Sequence, residues 1–288
     1  DLFNGVDFMI INNNIASLKI YREYSKNLIK QGSALEHISS GIKINSAKDN
    51  PNAIAQSERF RMQIRGLQVA GQNTQDGVSM LQTAEGGISE ITSSLQRVRD
   101  LLVQAGGVTT DSDKANIQTE INQMLEGAND MANNTEFNGV KLLTGGANDG
   151  SINIEMLIGA SVGDTASIPK SDLTSKGLGL KTGDVLNVNV KSVDNSLKLI
   201  DSALHDIMSV GSKYGALENR FESNYDSSME ISEKVESADS SIRDADLAVE
   251  MMEYSKNDIL IEAGNAMMVQ SNKLPQDALR ILENIRSR

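Results

Sequence analysis

Residues 238–266 decide the fold; they read ADSSIRDADLAVEMMEYSKNDILIEAGNA. Residues spaced alternately by four and three positions along this stretch are apolar, with one lysine as the exception. Such a seven-residue repeat is typical of a helix that packs against partner helices. The stretch therefore predicts a long, unbroken C-terminal helix with a narrow apolar seam. The members of the repeat are Ala238, Ile242, Ala245, Val249, Met252, Lys256, Ile259, Ala263 and Ala266.

A second repeat lies near the N-terminus, where Tyr21, Leu28, Leu35 and Ile42 recur every seven residues. Charge favours pairing of the two ends, because residues 9–50 carry six Lys/Arg and three Asp/Glu, whereas residues 239–288 carry six and nine. We therefore predict an antiparallel pair of terminal helices. The alternative is that both are ordinary solvated helices.

The energetics of this helix pair indicate that it needs neighbouring molecules. Ordering about 30 residues costs roughly 1–2 kcal/mol per residue in backbone entropy. About ten half-buried apolar side chains return roughly 1.5–3 kcal/mol each. The pair is therefore marginal alone, and the repeats predict a self-assembly seam. Its predicted members are Tyr21, Leu28, Leu35, Ile42, Ile242, Val249, Met252, Ile259, Ala263 and Ala266.

Composition excludes several classes of function. Aromatic residues make up only 3% of the chain and tryptophan is absent, so thin helical bundles are favoured over a globular enzyme. The net charge of −12 argues against nucleic acid, whose phosphates need basic patches. No apolar run reaches the roughly 18 residues of a membrane span. A basic segment followed by an apolar one is also missing at the N-terminus, so the general secretory route is not indicated.

Motifs that carry chemistry are not found. The two histidines, His37 and His205, lie in separate helical patterns, and cysteine is absent. The acidic triplets at 111–113 and 244–246 lack the glycine and the terminal glutamate of a calcium loop. No phosphate-binding loop of the Gly-Lys-Ser/Thr type occurs. We therefore expect no enzymatic activity, no cofactor and no metal site.

Local signals divide the rest of the chain into helices and one insert. Asn50 and Pro51 are a cap and a first helical residue. Gly106-Gly107 ends this second helix, and a skip in its apolar repeat near Gly86-Gly87 predicts a bend or local unwinding. A third helix is expected from Asp111 to about Asn134.

The insert follows the third helix. Apolar alternation over residues 151–157 and 185–193 predicts β-hairpins there. A final helical stretch is expected from Leu197 to the C-terminus. The predicted fold class is mainly α: a long antiparallel helical bundle or coiled coil formed by the N- and C-terminal helices, with a small β-hairpin insert.

Five motifs resemble the signatures of bacterial flagellins. Three lie in the N-terminal half, SSGIKINSAKDNP at 39–51, LQRVRDL at 95–101 and NTEFNGVKLL at 134–143. Two lie in the C-terminal half, ADSSIRDADLA at 238–248 and LPQ at 274–276. The resemblance covers about residues 9–143 and 197–282 in the family's order.

This resemblance implies a domain organisation. Residues 1–8 precede the family's start and are either a natural extension or a remnant of cloning. Residues 9–50 with 240–288 would form a terminal coiled-coil tube domain, and residues 51–143 with 197–239 a helical rod domain. Residues 144–196 would be a short variable insert. Because no His-Glu-x-x-His motif occurs, the metalloprotease that some flagellins carry in this insert is not expected.

The resemblance also implies a function, that of a structural subunit which self-assembles into the flagellar filament for motility. Such a subunit is exported through the flagellar channel and becomes extracellular. A hook–filament junction protein is the first alternative, and the motifs at 137–139 and 274–276 favour the filament subunit over it. A coiled-coil surface adhesin is the second alternative, and it predicts terminal helices that are stable in the monomer.

Partners follow from the same resemblance. Besides copies of itself, the chain would meet a flagellar export chaperone, the filament cap and hook-associated proteins. The chaperone would bind an apolar stripe of the last helix, formed by Ile259, Leu260, Ala263, Met267 and Met268.

Toll-like receptor 5 is a further partner that the resemblance suggests. Its contact residues would be Arg97, Leu101 and Glu120. The apolar repeat places the neighbours Leu95, Val98 and Leu102 in the core, which leaves Arg97 on the outer face. Leu101 would flank the seam and be partly accessible.

Overall fold

A computed structural model describes residues 14–107, 110–145, 153–183 and 185–286. Within these ranges it contains five long helices, six short strands and one 3-10 turn, which confirms the predicted mainly α fold class. In chain order they are α1 Ile15–Ser40, α2 Pro51–Ala105, α3 Asp111–Asn134, β1 Glu136–Phe137, β2 Val140–Lys141, β3 Asn153–Leu157, β4 Thr165–Pro169, β5 Lys181–Thr182, β6 Val185–Leu186, the 3-10 turn Val190–Ser192, α4 Val193–Arg243 and α5 Leu247–Arg286.

The chain divides into two compact units. The terminal unit comprises residues 1–59 and 237–288, and the central unit comprises residues 60–236. The predicted 1–8 extension lies outside the described residues. The assignment of tube, rod and insert to particular ranges stays a prediction.

Local chemistry explains where the first helices begin and end. The Asn14 side-chain oxygen accepts a hydrogen bond from the Ser17 amide at 3.1 Å and caps α1. The helix ends at Gly41, whose φ of +71° favours glycine. The Asn50 side chain accepts hydrogen bonds from the amides of Asn52 and Ala53, each at 3.2 Å, so it caps α2 as expected.

The central unit has a continuous apolar core built from α2, α3, α4 and the hairpins. Tyr214 is buried in it, and its hydroxyl donates to the Pro169 carbonyl at 2.8 Å. The core is the reason that this unit needs no neighbour to bury its apolar side chains. Its largest fully buried members are Tyr214, Phe221, Leu81, Ile91, Leu95, Leu101, Leu102, Ile121, Leu125, Leu143, Leu180 and Ile200.

The predicted unwinding near Gly86-Gly87 is wrong, because α2 is helical without a break from Pro51 to Ala105. Gly87 has a packing role instead. A Cβ at this position would lie 2.6 Å from Thr135 Oγ1 and 2.9 Å from Leu143 Cδ1. Glycine therefore lets α2 approach the segment that follows α3.

The insert contains hairpins, though fewer strand residues than predicted. Strands β3 and β4 pair antiparallel, and β5 pairs with β6. The predicted strand over 185–193 is wrong beyond Leu186. The Asn189 side chain accepts a hydrogen bond from the Lys191 amide at 2.9 Å and caps a 3-10 turn, after which α4 begins at Val193. Residues 151 and 152 of the other predicted strand lie outside the described part of the chain.

Candidate assembly surface of the terminal helices

Helices α1 and α5 pack against each other antiparallel within the terminal unit. Near one end, Asn14 Nδ2 donates to the Ser271 carbonyl at 2.9 Å. Further along, Gln31 Nε2 donates to Asp258 Oδ1 at 2.9 Å. Between these pairs, the Tyr24 ring lies over Gly264. The predicted pairing of the two ends is therefore present in the structure.

Few side chains are fully buried between α1 and α5. Asn257 and Ser271 are, with Asn257 only 1% exposed. Among the side chains described in the terminal unit, Ala34 is the only fully buried apolar one, whereas Ile20, Tyr24 and Ile261 are partly buried. This unit therefore has much less hydrophobic stabilisation than the central unit.

The predicted seam residues lie on the outer side of the helix pair. On α1, the exposed fractions of Tyr21, Leu28 and Leu35 are 56%, 50% and 53%. On α5, Ile259 is 66% exposed, and Val249, Met252, Ala263 and Ala266 are exposed as well. Only Ile42 and Ile242 are partly buried. We call the exposed residues Tyr21, Leu28, Leu35, Val249, Met252 and Ile259 the outer stripes.

The predicted unbroken helix over 238–266 is wrong, because α4 ends at Arg243 and α5 begins at Leu247. Asp246 makes the break: its Oδ1 accepts hydrogen bonds from the amides of Ala248 and Val249 at 2.9 and 3.3 Å. An aspartate before an apolar run is an N-cap signal that the heptad reading overlooked.

Two backbone hydrogen bonds fix this break against the loop after α1. The Lys43 amide donates to the Arg243 carbonyl at 2.7 Å, and the Ala245 amide donates to the Gly41 carbonyl at 2.9 Å. Because main-chain groups make them, their partners could not be identified from side-chain patterns.

A partly buried contact between a histidine and a glutamate was also missed by sequence reasoning. His37 Nδ1 lies 3.2 Å from Glu250 Oε1 across the helix pair. The contact lies in a groove that Lys30, Ser33 and Glu253 also line. His37 gave no signal in the sequence, because its partner lies more than two hundred positions away.

The stripe predicted to bind an export chaperone is mostly accessible. Ile259, Leu260, Ala263 and Met267 are exposed on α5, whereas Met268 is partly buried. Four of the five residues therefore share an open face.

The three residues predicted to contact the innate receptor do not share one surface. Arg97 Nη2 and Glu120 Oε1 form an ion pair at 2.9 Å between α2 and α3, and both side chains are about half exposed. Leu101 is only 2% exposed and belongs to the buried core. The predicted accessibility of Leu101 is wrong, since this residue is part of the core that α2, α3, α4 and the insert form together.

The residues that the structure describes contain neither a group of three or more His, Cys, Asp or Glu residues that could hold a metal ion nor a helix long and apolar enough to cross a membrane.

Paired terminal helices with outward apolar side chains are typical of structural proteins that assemble through their ends. Comparison with known proteins gives the family. Residues 11–148 match the bacterial flagellin N-terminal helical region, and residues 197–282 match the bacterial flagellin C-terminal helical region. The chain belongs to the bacterial flagellin family.

Individual relatives are similar in sequence to this chain over most of its length. Flagellin of Bacillus subtilis (strain 168) is 38% identical over 303 residues, covering 95% of this chain and all of the relative. The flagellar filament 30.7 kDa core protein of Treponema maltophilum is 36% identical over 284 residues, with the same coverage. These matches confirm the predicted function of filament subunit, and they favour neither the junction protein nor the adhesin.

One solved structure shows a similar fold. A putative flagellar hook-associated protein from Vibrio parahaemolyticus aligns with 68% of this chain and 100% of its own, at 16% identity and a TM-score of 0.56. A Bacillus cereus flagellin aligns with 55% of this chain and 88% of its own, at 28% identity and a TM-score of 0.48.

Proposed function

We propose that this chain, a structural subunit of the bacterial flagellar filament, polymerises through the outer stripes of α1 and α5. One observation supports the proposal: the apolar repeats of the terminal unit are exposed, while its only fully buried apolar side chain among the described residues is Ala34. Neighbouring copies are the partners that would bury these side chains.

The free energy of burying apolar side chains supports assembly as a source of stability for the terminal helices. Burying a side chain such as leucine or isoleucine contributes about 1.5–3 kcal/mol. The six residues of the outer stripes are half exposed or more in the single chain. Their burial in a polymer would therefore add hydrophobic stabilisation that the free subunit lacks, against the backbone entropy lost when α1 and α5 become ordered.

Seeded polymerisation tests the proposal. Leu35→Asp and Ile259→Asp each place a charge at an apolar contact, where burying it would cost several kcal/mol. We expect wild-type protein to extend filament seeds, seen by electron microscopy, and both variants to fail. Lys30→Ala, at an exposed position of α1, is the control and should extend seeds.

The central unit allows failure to assemble to be distinguished from unfolding of the whole chain. Its core contains neither Leu35 nor Ile259, so the variants should retain the helical signal of residues 60–236. Filament growth at the wild-type rate in both aspartate variants would contradict the proposed surface.

We also propose that the exposed face of α5 binds a flagellar export chaperone before assembly. Ile259, Leu260 and Met267 form an apolar helix face of the kind that docks in a hydrophobic groove. Binding there would cover part of the outer stripes and delay polymerisation until the subunit is extracellular, where the filament cap and hook-associated proteins would receive it.

A pull-down with the chaperone tests this second role. Deleting residues 255–288 should abolish binding, and Leu260→Asp with Met267→Asp should weaken it strongly. The matched control is Gln270→Asp, at an exposed polar position of the same helix. Retained binding after the deletion would reject the α5 site.

Toll-like receptor 5 is a further proposed partner, through Arg97 and Glu120. The support is an exposed charged pair on the α2–α3 surface of the central unit. Arginine is common at binding hot spots. Leu101 is no longer part of this proposal, because it is buried.

A further inference from the structure

Buried polar side-chain atoms that lack a hydrogen-bond partner are concentrated in the terminal unit. Among the described residues all of them belong to its ranges, 14–59 and 237–286, and the central unit has none. Such groups are rare in folded proteins, and each needs an explanation. They are Ser57 Oγ, Asp239 Oδ1, Arg243 Nε and Asn257 Nδ2. His37 Nδ1 is not counted with them, because Glu250 Oε1 lies 3.2 Å away.

Asn257 lies in the middle of the contact between α1 and α5. It is 1% exposed, and its side-chain amide nitrogen has no acceptor. Its neighbour Asp258 accepts the hydrogen bond from Gln31, and two turns further along α5 a Cβ added at Gly264 would lie 3.8 Å from the Tyr24 ring. Closing the helix pair therefore removes this amide from water without replacing its hydrogen bonds.

We propose that Asn257 is a specificity-determining residue for assembly, because its unpartnered amide keeps the α1–α5 pair from closing stably in the free subunit. The inference rests on the proposed polymerisation through the outer stripes. An unsatisfied buried amide carries its full desolvation penalty. In this unit of the free subunit, Ala34 is the only described apolar side chain that is fully buried, whereas an assembled subunit would also bury the outer stripes against that penalty.

The desolvation penalty of the Asn257 amide thus has different consequences in the free subunit and in the polymer. In the free subunit it favours opening of α1 from α5, and in the polymer it is outweighed by neighbours. Polar residues in helix contacts of other proteins exchange stability for choice of partner in a comparable way. The consequence is a threshold against polymerisation in the absence of seeds.

Replacing the amide by an apolar group tests the inference. Asn257→Leu keeps the approximate size of the side chain, and Asn257→Ala removes it. In the free full-length chain, both variants should slow protease cleavage within 14–40 and 247–280 by about tenfold or more, since removing the penalty stabilises closure. Both should also begin unseeded polymerisation at a several-fold lower subunit concentration.

Asn265→Leu is the matched control, because Asn265 is an exposed asparagine on the same helix. It adds the same apolar group without removing a buried amide, and should change neither cleavage nor the unseeded threshold. Unchanged or faster cleavage in both Asn257 variants, or an equal effect of Asn265→Leu, would overturn the inference. If Asn257 instead stabilises the α1–α5 pair, both variants should be cleaved faster than the wild type.

The proposed polymerisation and the proposed role of Asn257 are tested by different measurements. If wild-type protein does not extend seeds, the proposed polymerisation fails. Cleavage of the free subunit tests the role of Asn257 without any polymer.

Discussion

Arg97 and Glu120 pair across two helices of the central unit, with Arg97 Nη2 2.9 Å from Glu120 Oε1. Arg97 lies on α2 and Glu120 on α3, 23 positions apart. The resemblance to flagellins placed both in one receptor contact, and the structure brings them together as an exposed ion pair. A receptor that binds this surface would therefore meet the two side chains already oriented by each other.

Arg97→Ala is expected to reduce receptor signalling without unfolding the chain. An exposed ion pair contributes only about 0–1 kcal/mol to stability, so the melting temperature should change little. A reporter-cell assay with monomeric protein measures the signal. Lys114→Ala is a control that removes a positive charge elsewhere on α3. Wild-type signalling from Arg97→Ala, or no signalling from wild type, would remove this site.

Leu101→Ala is expected to act through stability instead. Removing a fully buried leucine costs about 2–5 kcal/mol. We expect a clear fall in the melting temperature of the central unit, measured by circular dichroism. Val103→Ala, at an exposed position two residues away, should have little effect. Similar melting temperatures for both variants would contradict the burial of Leu101.

Adjacent glycines in α2 should respond in opposite ways to alanine. Gly87→Ala places a Cβ against Thr135 and Leu143 and should destabilise the central unit by about 1–3 kcal/mol. A Cβ added at Gly86 would meet no atom of the rest of the protein within 4 Å, so Gly86→Ala should stabilise α2 by about 0.5–1 kcal/mol. Denaturant unfolding of both variants measures the difference. Equal effects would show that the packing at Gly87 is looser than described.

Glu85 gives the central unit a pH dependence. Burial, with the nearby Glu218 carboxylate, raises the pKa of Glu85 above its ordinary value. The folded chain thus binds this proton more tightly than the unfolded chain, so the charged form lowers the free energy of unfolding at neutral pH. That penalty is relieved as the pH falls through the native-state pKa.

Glu85→Gln should therefore raise the melting temperature at pH 7, and the gain should shrink as the pH falls through that pKa. Thermal unfolding across acidic to neutral pH measures this. Glu90→Gln, at an exposed position of the same helix, controls for the lost charge. A gain that does not depend on pH would argue against the raised pKa.

Helix chemistry made much of the fold predictable from the sequence. Caps such as Asn50 and breakers such as Gly106-Gly107 act through neighbouring backbone groups, so their effects are local. The apolar repeats correctly indicated helices with partners, but not which side of α1 would face α5. Small and polar residues such as Ala34 and Asn257 fill that contact, and they gave no apolar signal.

The predictions from the sequence were wrong where contacts between distant parts of the chain determine burial or the end of a helix. Leu101 is buried in a core to which residues far from α2 in the sequence contribute, and the repeat within α2 could not indicate them. The break at Asp246 is held by backbone bonds to the loop after α1, some two hundred positions earlier. In the same way, the His37–Glu250 contact exists only once the two ends are paired.

Amide hydrogen exchange of the free subunit and of the polymer tests the central claim most directly. If the outer stripes are buried only by neighbouring copies, α1 and α5 should exchange fast in the free subunit and slowly in the polymer. The core helices of residues 60–236 should be protected in both states. Equal, strong protection of α1 and α5 in the free subunit would contradict assembly as the source of their stability.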